Sequence, residues 1–171
     1  MVVLGQEVSD PLSILTRGFV FDRRFRIINK IGEGNYAKVF KVKDQITDRT
    51  YALKVFKPEF IDDPKFPEIF KKTFESAKNI KHDNVVELYW ASQDVNGLYY
   101  YVMEYVDGGS LSDRISQGSL LISDAIKILD DIINGLAYLH GKNIPHLDLK
   151  PSNILLTKDG KAKNIRLHDR S

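Results

Sequence analysis

The stretch His146-Leu147-Asp148-Leu149-Lys150-Pro151-Ser152-Asn153 has the pattern H-x-D-x-K-x-x-N. Phosphoryl transfer needs a positioned hydroxyl, neutralised phosphate charge and held metal ions. We expect Asp148 to orient a substrate hydroxyl and accept its proton, Lys150 to steady the phosphate, and Asn153 to hold Mg²⁺ through its amide oxygen. A polar loop between a helix and a strand would explain an isolated H-x-D. The added spacing of Lys, Pro and Asn favours a catalytic loop.

A glycine-rich pattern, G-x-G-x-x-A-x-V, occurs upstream in Ile31-Gly32-Glu33-Gly34-Asn35-Tyr36-Ala37-Lys38-Val39. Glycines allow a hairpin to lie close over a triphosphate, with backbone N–H groups facing its oxygens. The whole stretch is therefore a candidate nucleotide-binding hairpin, and Val39 is a candidate contact for an adenine ring. A plain turn with Val39 in the core is the alternative, because a single glycine hairpin is a weak signal. Ala37 stands where the pattern has its third glycine, and its methyl group is a mild change.

Two further segments carry candidate nucleotide contacts. In Tyr51-Ala52-Leu53-Lys54-Val55, the A-x-K pattern predicts that Lys54 reaches the α- and β-phosphates and that Ala52 leaves room for adenine. A solvated position on a strand is the alternative for Lys54.

The stretch from Tyr99 to Leu111 has the composition of a strand followed by a hinge with Gly-Gly. Glu104 and Val106 are predicted to offer backbone groups to the adenine edge, with Met103 at the back of the pocket. Taken alone, the segment is a tyrosine-rich strand that ends in a turn. Leu155, after the catalytic loop, is a candidate floor of the adenine pocket, and core packing explains it equally well.

These four motifs occur in one order, and together they make the chain resemble the protein kinase superfamily. Because Lys150 follows Asp148 by two residues, the chain resembles the eukaryotic-like Ser/Thr kinases, and the run from Gly18 to Ile27 resembles the start of bacterial members. The resemblance covers about residues 19–165. It implies ATP and Mg²⁺ as cofactors, Asp148, Lys150 and Asn153 as catalytic residues, and phosphoryl transfer to protein Ser or Thr hydroxyls.

The expected fold is α+β and kinase-like, with an N-lobe formed by a five-stranded antiparallel sheet and one helix, followed by a partial helical C-lobe. A leader is predicted at 1–24, the N-lobe at 25–104, and the hinge with a truncated C-lobe at 105–171. The N-lobe helix is expected near 66–80. The long C-lobe helix is expected to begin with Ser123 as its N-cap and to end near 141, because apolar residues recur there at helical spacing.

Composition excludes several classes of protein. A net charge of +2 gives no strong signal for nucleic acid, and the absence of cysteine excludes disulfides and thiolate metal sites. No apolar run approaches the roughly 18 residues that a membrane span needs. The first residues lack the basic start of a signal peptide, so a cytoplasmic location is expected.

The sequence departs from the kinase pattern in the N-lobe helix. A nine-residue step back from His82 places Thr73 where the family has the glutamate that pairs with the strand lysine. Glu75 lies about 200° further around the helix and is expected to face outward. Lys54 would then lack its usual partner, unless a kinked helix delivers Glu75.

A second departure follows the catalytic loop. Arg166 stands where the family has the magnesium-binding Asp of Asp-Phe-Gly, and Leu147 stands where many members have arginine. The chain then ends, so an apolar patch on the long helix is expected to be exposed and open to a partner or to self-association. Three interpretations stay open: an active kinase, a nucleotide-binding or nucleotide-free pseudokinase scaffold, and a kinase cut short.

Overall fold

The computed structural model describes residues 10–165. The four α-helices in this range are α1 (Pro58–Ile61), α2 (Phe66–Ala77), α3 (Leu111–Ser116) and α4 (Ile122–Gly141). The eight strands in the same range are β1 (Val20–Phe21), β2 (Phe25–Glu33), β3 (Ala37–Asp44), β4 (Thr50–Phe56), β5 (Leu88–Gln93), β6 (Tyr99–Glu104), β7 (Ile154–Leu156) and β8 (Ala162–Asn164).

The N-lobe sheet has six strands in the order β1-β2-β3-β4-β6-β5, with antiparallel neighbours throughout, where the sequence predicted five strands. The additional strand is β1, which pairs Phe21 with Phe25 at the end of a tight hairpin. The turn residues Asp22 and Arg23 have φ of 47° and 55°. Tight hairpin turns with positive φ at both central positions match the twist of the flanking strands, but Asn and Gly are their usual residues. The hairpin was therefore not predictable from Asp22 and Arg23, which are not the usual residues of this turn.

The described part of the predicted leader packs on the N-lobe. A 3₁₀ helix at Pro11–Ile14 is capped by Asp10, whose side chain accepts a hydrogen bond from Leu12 N at 2.9 Å. Leu12, Leu15 and Phe21 are buried in the same core cluster as β2, β3 and β4. Residues 12–21 thus cover apolar surface that the sheet would otherwise expose.

Aromatic side chains join α2 to the other side of the sheet. Phe70 stacks on Tyr101 with ring centroids 4.5 Å apart, and Tyr101 donates its hydroxyl to the Phe70 carbonyl at 2.9 Å. Phe56 and Phe66 complete this cluster with edge-to-face contacts. The helix ends at Ala77, three residues before the predicted end.

Helix α4 confirms the predicted long helix but not its predicted cap. The N-cap is Leu121 in an extended conformation, and Ser123 lies in the first turn. The chain enters the helix early because Leu120, just before it, is held against the C-lobe core. The buried face carries Ile128, Gly135 and Leu139. The opposite face has exposed apolar residues, as expected, and these are Ile122, Ile126, Leu129 and Ile133.

The two lobes meet where the segment before β5 crosses α4 and β8. Asn84 donates its side-chain amide to the Ala162 carbonyl at 3.0 Å, and Asn164 donates its own to the Asn84 carbonyl at 2.9 Å. Gly135 allows this approach, because a Cβ there would lie 2.3 Å from Asn164 Nδ2 and 2.5 Å from Asn84 O. A helical glycine is therefore required at this crossing.

Candidate functional site

A cleft of about 930 Å³ separates the N-lobe sheet from the loop that precedes β7. Every residue predicted to bind nucleotide or to act in catalysis lines this cleft, with one exception. The lining residues from those predictions are Ile31, Gly32, Glu33, Gly34, Asn35, Tyr36, Ala37, Val39, Ala52, Lys54, Met103, Glu104, Val106, Asp148, Lys150, Asn153 and Leu155.

The exception is Lys38. Successive side chains of a strand point to opposite faces, and Ala37 and Val39 line the cleft. Lys38 therefore faces away and forms an ion pair with Asp10. The glycine-rich pattern predicted nucleotide contacts from every residue between Ile31 and Val39, whereas the pleat of β3 brings only alternate residues to the cleft.

The glycine-rich hairpin joins β2 to β3 over the cleft. Gly34 N donates to the Ala37 carbonyl at 2.9 Å and closes the turn. A Cβ added to Gly34 would meet no heavy atom within 4 Å, so the space beside the turn is open. The rings of Tyr36 and Phe60, which lies in α1, pack edge-to-face with centroids 4.5 Å apart. This contact holds the hairpin against the segment after β4.

Lys54 lies in the middle of β4, paired in register with Val39 on β3 and Tyr101 on β6, and it lines the cleft. Glu75 is half-exposed on α2, and its carboxylate is 2.5 Å from Lys78 Nζ. The predicted outward direction of Glu75 is confirmed, and the kinked-helix alternative is not. Thr73 is half-buried.

The hinge closes the back of the cleft. Met103 is buried at the end of β6, and Glu104 and Val106 follow it along the cleft wall. Gly108 N donates to the Leu156 carbonyl at 2.8 Å, an approach that needs glycine because a Cβ there would lie 2.4 Å from that oxygen. The hinge is thus held directly against β7, the strand that carries Leu155.

The three predicted catalytic residues converge. Lys150 Nζ lies 2.8 Å from Asp148 Oδ2, and Asn153 Nδ2 donates to the same oxygen and to the Asp148 carbonyl, both at 2.8 Å. With its nitrogen engaged in this way, the Asn153 amide presents oxygen as its acceptor. Leu147 has φ of 65°, and this left-handed residue turns the loop so that Asp148 enters the cleft.

No group of three or more His, Cys, Asp or Glu side chains within residues 10–165 is arranged to hold a metal ion. Asn153, through its amide oxygen, is the residue of the catalytic loop that is predicted to hold Mg²⁺. Arg166, which stands where the family has the magnesium-binding Asp, lies outside the described residues.

Several residues at the mouth of the cleft were not predicted from the sequence. Ser110 caps α3 and forms a reciprocal capping box with Asp113, and both residues line the cleft. The S-x-x-D spacing is a known start signal for a helix and could have located them. His146 and Ile165 also line the cleft, one buried at the start of the catalytic loop and one just after β8.

The protein kinase domain model matches residues 25–169. The chain belongs to the protein kinase family. The Ser/Thr-protein kinase PrkC of Bacillus subtilis is 35% identical over 141 residues, covering 82% of this chain and 22% of PrkC. CBL-interacting protein kinase 9 of rice is 38% identical over 141 residues, covering 82% of this chain and 31% of that protein.

Solved structures share the fold. The kinase domain of PknI from Mycobacterium tuberculosis superposes with a TM-score of 0.75 at 22% sequence identity. The match covers 91% of this chain and 64% of the PknI chain. The α+β kinase fold and the resemblance to Ser/Thr kinases, bacterial ones included, are therefore confirmed. The chain spans between about a fifth and a third of the length of the curated relatives it matches.

Proposed function

We propose that this chain carries the nucleotide-binding and catalytic-loop portion of a Ser/Thr protein kinase, which transfers a phosphoryl group from ATP to a protein Ser or Thr hydroxyl with Mg²⁺. One observation carries the proposal. Asp148, Lys150 and Asn153 meet within hydrogen-bonding distance in the same cleft that Lys54 and the glycine-rich hairpin line.

The cleft has the size and lining that a nucleotide requires. Small-molecule sites usually measure about 300–1,000 Å³ and combine apolar walls with a few placed polar groups. Apolar walls for a base are supplied by Val39, Ala52, Met103 and Leu155. Lys54 supplies a positive charge for phosphate.

The catalytic loop fits the reaction of the family. Two donors, from Lys150 and Asn153, converge on one oxygen of Asp148 and fix the direction of its carboxylate. In the proposed reaction Asp148 accepts the proton of the attacking hydroxyl, and the Lys150 ammonium stabilises the negative charge of the transferred group. Asn153, through its amide oxygen, would hold Mg²⁺, which supplies charge neutralisation at the phosphates.

A second candidate function is a nucleotide-binding scaffold without transferase activity. Thr73 stands at the family's glutamate position on α2, and the nearby Glu75 pairs with Lys78 away from the cleft; both observations favour it. In the family, the glutamate of this helix pairs with the strand lysine, and that ion pair must be in place for transfer. The two functions therefore share nucleotide binding and differ in phosphoryl transfer.

Transfer of radiolabelled phosphate from ATP to a generic protein substrate separates the two. The kinase proposal predicts label on Ser or Thr that is lost in Asp148→Asn and retained in Asp130→Asn, a control on the exposed side of α4. Nucleotide binding without any transfer would establish the scaffold instead. Label of equal intensity in Asp148→Asn would refute the role of Asp148.

Three expectations, on location, substrate and partner, accompany the proposal. Within residues 10–165, the helices lack the combination of length and apolar composition that crossing a membrane requires. A cytoplasmic location, where ATP is abundant, is part of the proposal. A protein substrate, and a partner or second copy on the exposed face of α4, are also part of it.

A further inference from the structure

An ion pair links the C-lobe hairpin to the hinge. Lys163 lies on β8 opposite Leu155 on β7, and its Nζ is 2.7 Å from Glu104 Oε1 and 3.0 Å from Oε2. Glu104 is the last residue of β6, 59 positions away in sequence. The side chains of Lys163 and Glu104 are 13% and 25% exposed, so water is largely excluded from the pair.

The carboxylate of Glu104 has a second partner. Glu87 N, just before β5, donates to Oε2 at 3.2 Å, and Glu104 N donates to the Glu87 carbonyl at 2.9 Å. One carboxylate thus connects three segments: the start of β5, the end of β6 and β8. The first two belong to the N-lobe and the third to the C-lobe.

We propose that Lys163 and Glu104 form an interlobe clamp that positions the hinge backbone for the adenine edge. This inference rests on the proposed nucleotide site for its functional consequence. Both are positioning residues, since the side chain of Glu104 joins the lobes while its backbone is the part predicted to contact nucleotide. The clamp also couples the hinge to the segment that runs from β8 into Ile165 at the cleft.

A neighbouring ion pair shows why this one differs from an ordinary surface contact. Lys161, two residues earlier, also reaches across the lobes, and its Nζ lies 2.9 Å from Asp83 Oδ2. The side chain of Asp83 is 82% exposed and that of Lys161 is 39% exposed. Pairs in water contribute little, whereas removing one partner of a desolvated pair leaves an uncompensated charge. Lys161 is therefore a matched control for Lys163.

Loosening the clamp should weaken nucleotide binding without altering any group that is predicted to contact nucleotide through its side chain. If the hinge is in its binding-competent conformation for only a fraction of the time, the apparent dissociation constant equals the intrinsic one divided by that fraction. We expect Lys163→Met to weaken the binding of ADP and of adenosine about tenfold, which corresponds to about 1.4 kcal/mol. Lys163→Arg should restore most of the affinity because it retains the charge.

A double-mutant cycle tests whether the two residues act as a pair. Dissociation constants for ADP and adenosine are measured by titration calorimetry for wild type, Lys163→Met, Glu104→Gln and the double variant, with Lys161→Met as control. The clamp predicts that the double variant loses no more than either single variant and that the control stays within about twofold of wild type. Equal affinities of wild type and Lys163→Met, or additive losses in the double variant, would overturn it.

Hydrogen exchange makes the clamp testable without nucleotide. The amides of Glu104 and Val106 should exchange faster in Lys163→Met than in wild type or Lys161→Met. If wild type binds neither ADP nor adenosine, the proposed function fails, and with it the functional role of the clamp. If wild type binds both and Lys163→Met shows unchanged exchange and affinity, the clamp alone fails.

Discussion

Replacing Gly135 by alanine tests the crossing of the two lobes. An alanine Cβ would lie 2.3 Å from Asn164 Nδ2 and 2.5 Å from Asn84 O, distances that real Cβ atoms essentially never show. Asn84 O is a backbone atom, and Asn164 is fully buried. Neither can move without breaking the hydrogen bonds from Asn164 Nδ2 to Asn84 O and Ile132 O, at 2.9 and 3.3 Å.

Opposing effects set the size of the change. Alanine in a helix interior is favoured over glycine by about 1 kcal/mol. Forcing a methyl group into a packed site costs about 1–3 kcal/mol, and leaving a buried amide without its partners costs about 1–3 kcal/mol more. We therefore expect Gly135→Ala to lower the free energy of unfolding by about 1–5 kcal/mol, with a central value of about 3 kcal/mol, which lowers the melting temperature by roughly 10 °C.

The same helix offers a matched control. A Cβ added to Gly141, the last residue of α4, would meet no heavy atom within 4 Å. Gly141→Ala should leave stability unchanged or raise it slightly. Urea unfolding followed by circular dichroism measures both variants. A Gly135→Ala protein as stable as Gly141→Ala would refute the argument that α4 must approach Asn84 and Asn164 this closely.

Three further changes have defined outcomes. Leu12→Ala should lower the free energy of unfolding by about 2–4 kcal/mol in urea melts, since Leu12 is buried in the sheet core, whereas the exposed Ile14→Ala should have almost no effect. The Arg24 guanidinium holds the pKa of Asp44 well below its usual range. The stabilisation that the ionised Asp44 contributes should therefore be complete above about pH 4, near the carboxyl's unfolded pKa, and should be lost as the pH falls further. In pH-dependent melts the stability gap between wild type and Asp44→Asn should therefore narrow only in acid, and a gap independent of pH down to about pH 2 would contradict the ion pair. Ile133→Asn, on the exposed face of α4, should leave the melt unchanged but reduce self-association in sedimentation velocity, and equal sedimentation of both proteins would argue against that face as a contact surface.

The parts of the site that short motifs encode were predictable. The H-x-D-x-K-x-x-N spacing predicted that Asp148, Lys150 and Asn153 lie together, and the structure brings their side chains into contact. The helical count around α2 predicted the outward direction of Glu75. The second prediction depends on regular helix geometry, which sequence spacing determines directly. The first depends on a motif whose three residues stand within six consecutive positions.

Features that depend on tertiary context were not predictable. The hairpin before β2 forms at Asp22 and Arg23, which lack the Asn-Gly signature of its turn type. The glycine-rich motif includes Lys38 among the nucleotide contacts because a motif does not state which face of the strand each residue occupies. The clamp between Lys163 and Glu104 joins residues far apart in sequence, and neither residue alone signals it.

Thermal melts of the 171-residue chain with and without Mg²⁺-ATP show whether this cleft binds nucleotide. A ligand that binds only the folded state at about 100 times its dissociation constant stabilises it by about 2.7 kcal/mol. If the cleft binds nucleotide, the melt is cooperative, its midpoint rises with Mg²⁺-ATP, and Lys54→Ala abolishes that rise. A cooperative wild-type melt that is indifferent to Mg²⁺-ATP at millimolar concentrations would contradict nucleotide binding by this cleft.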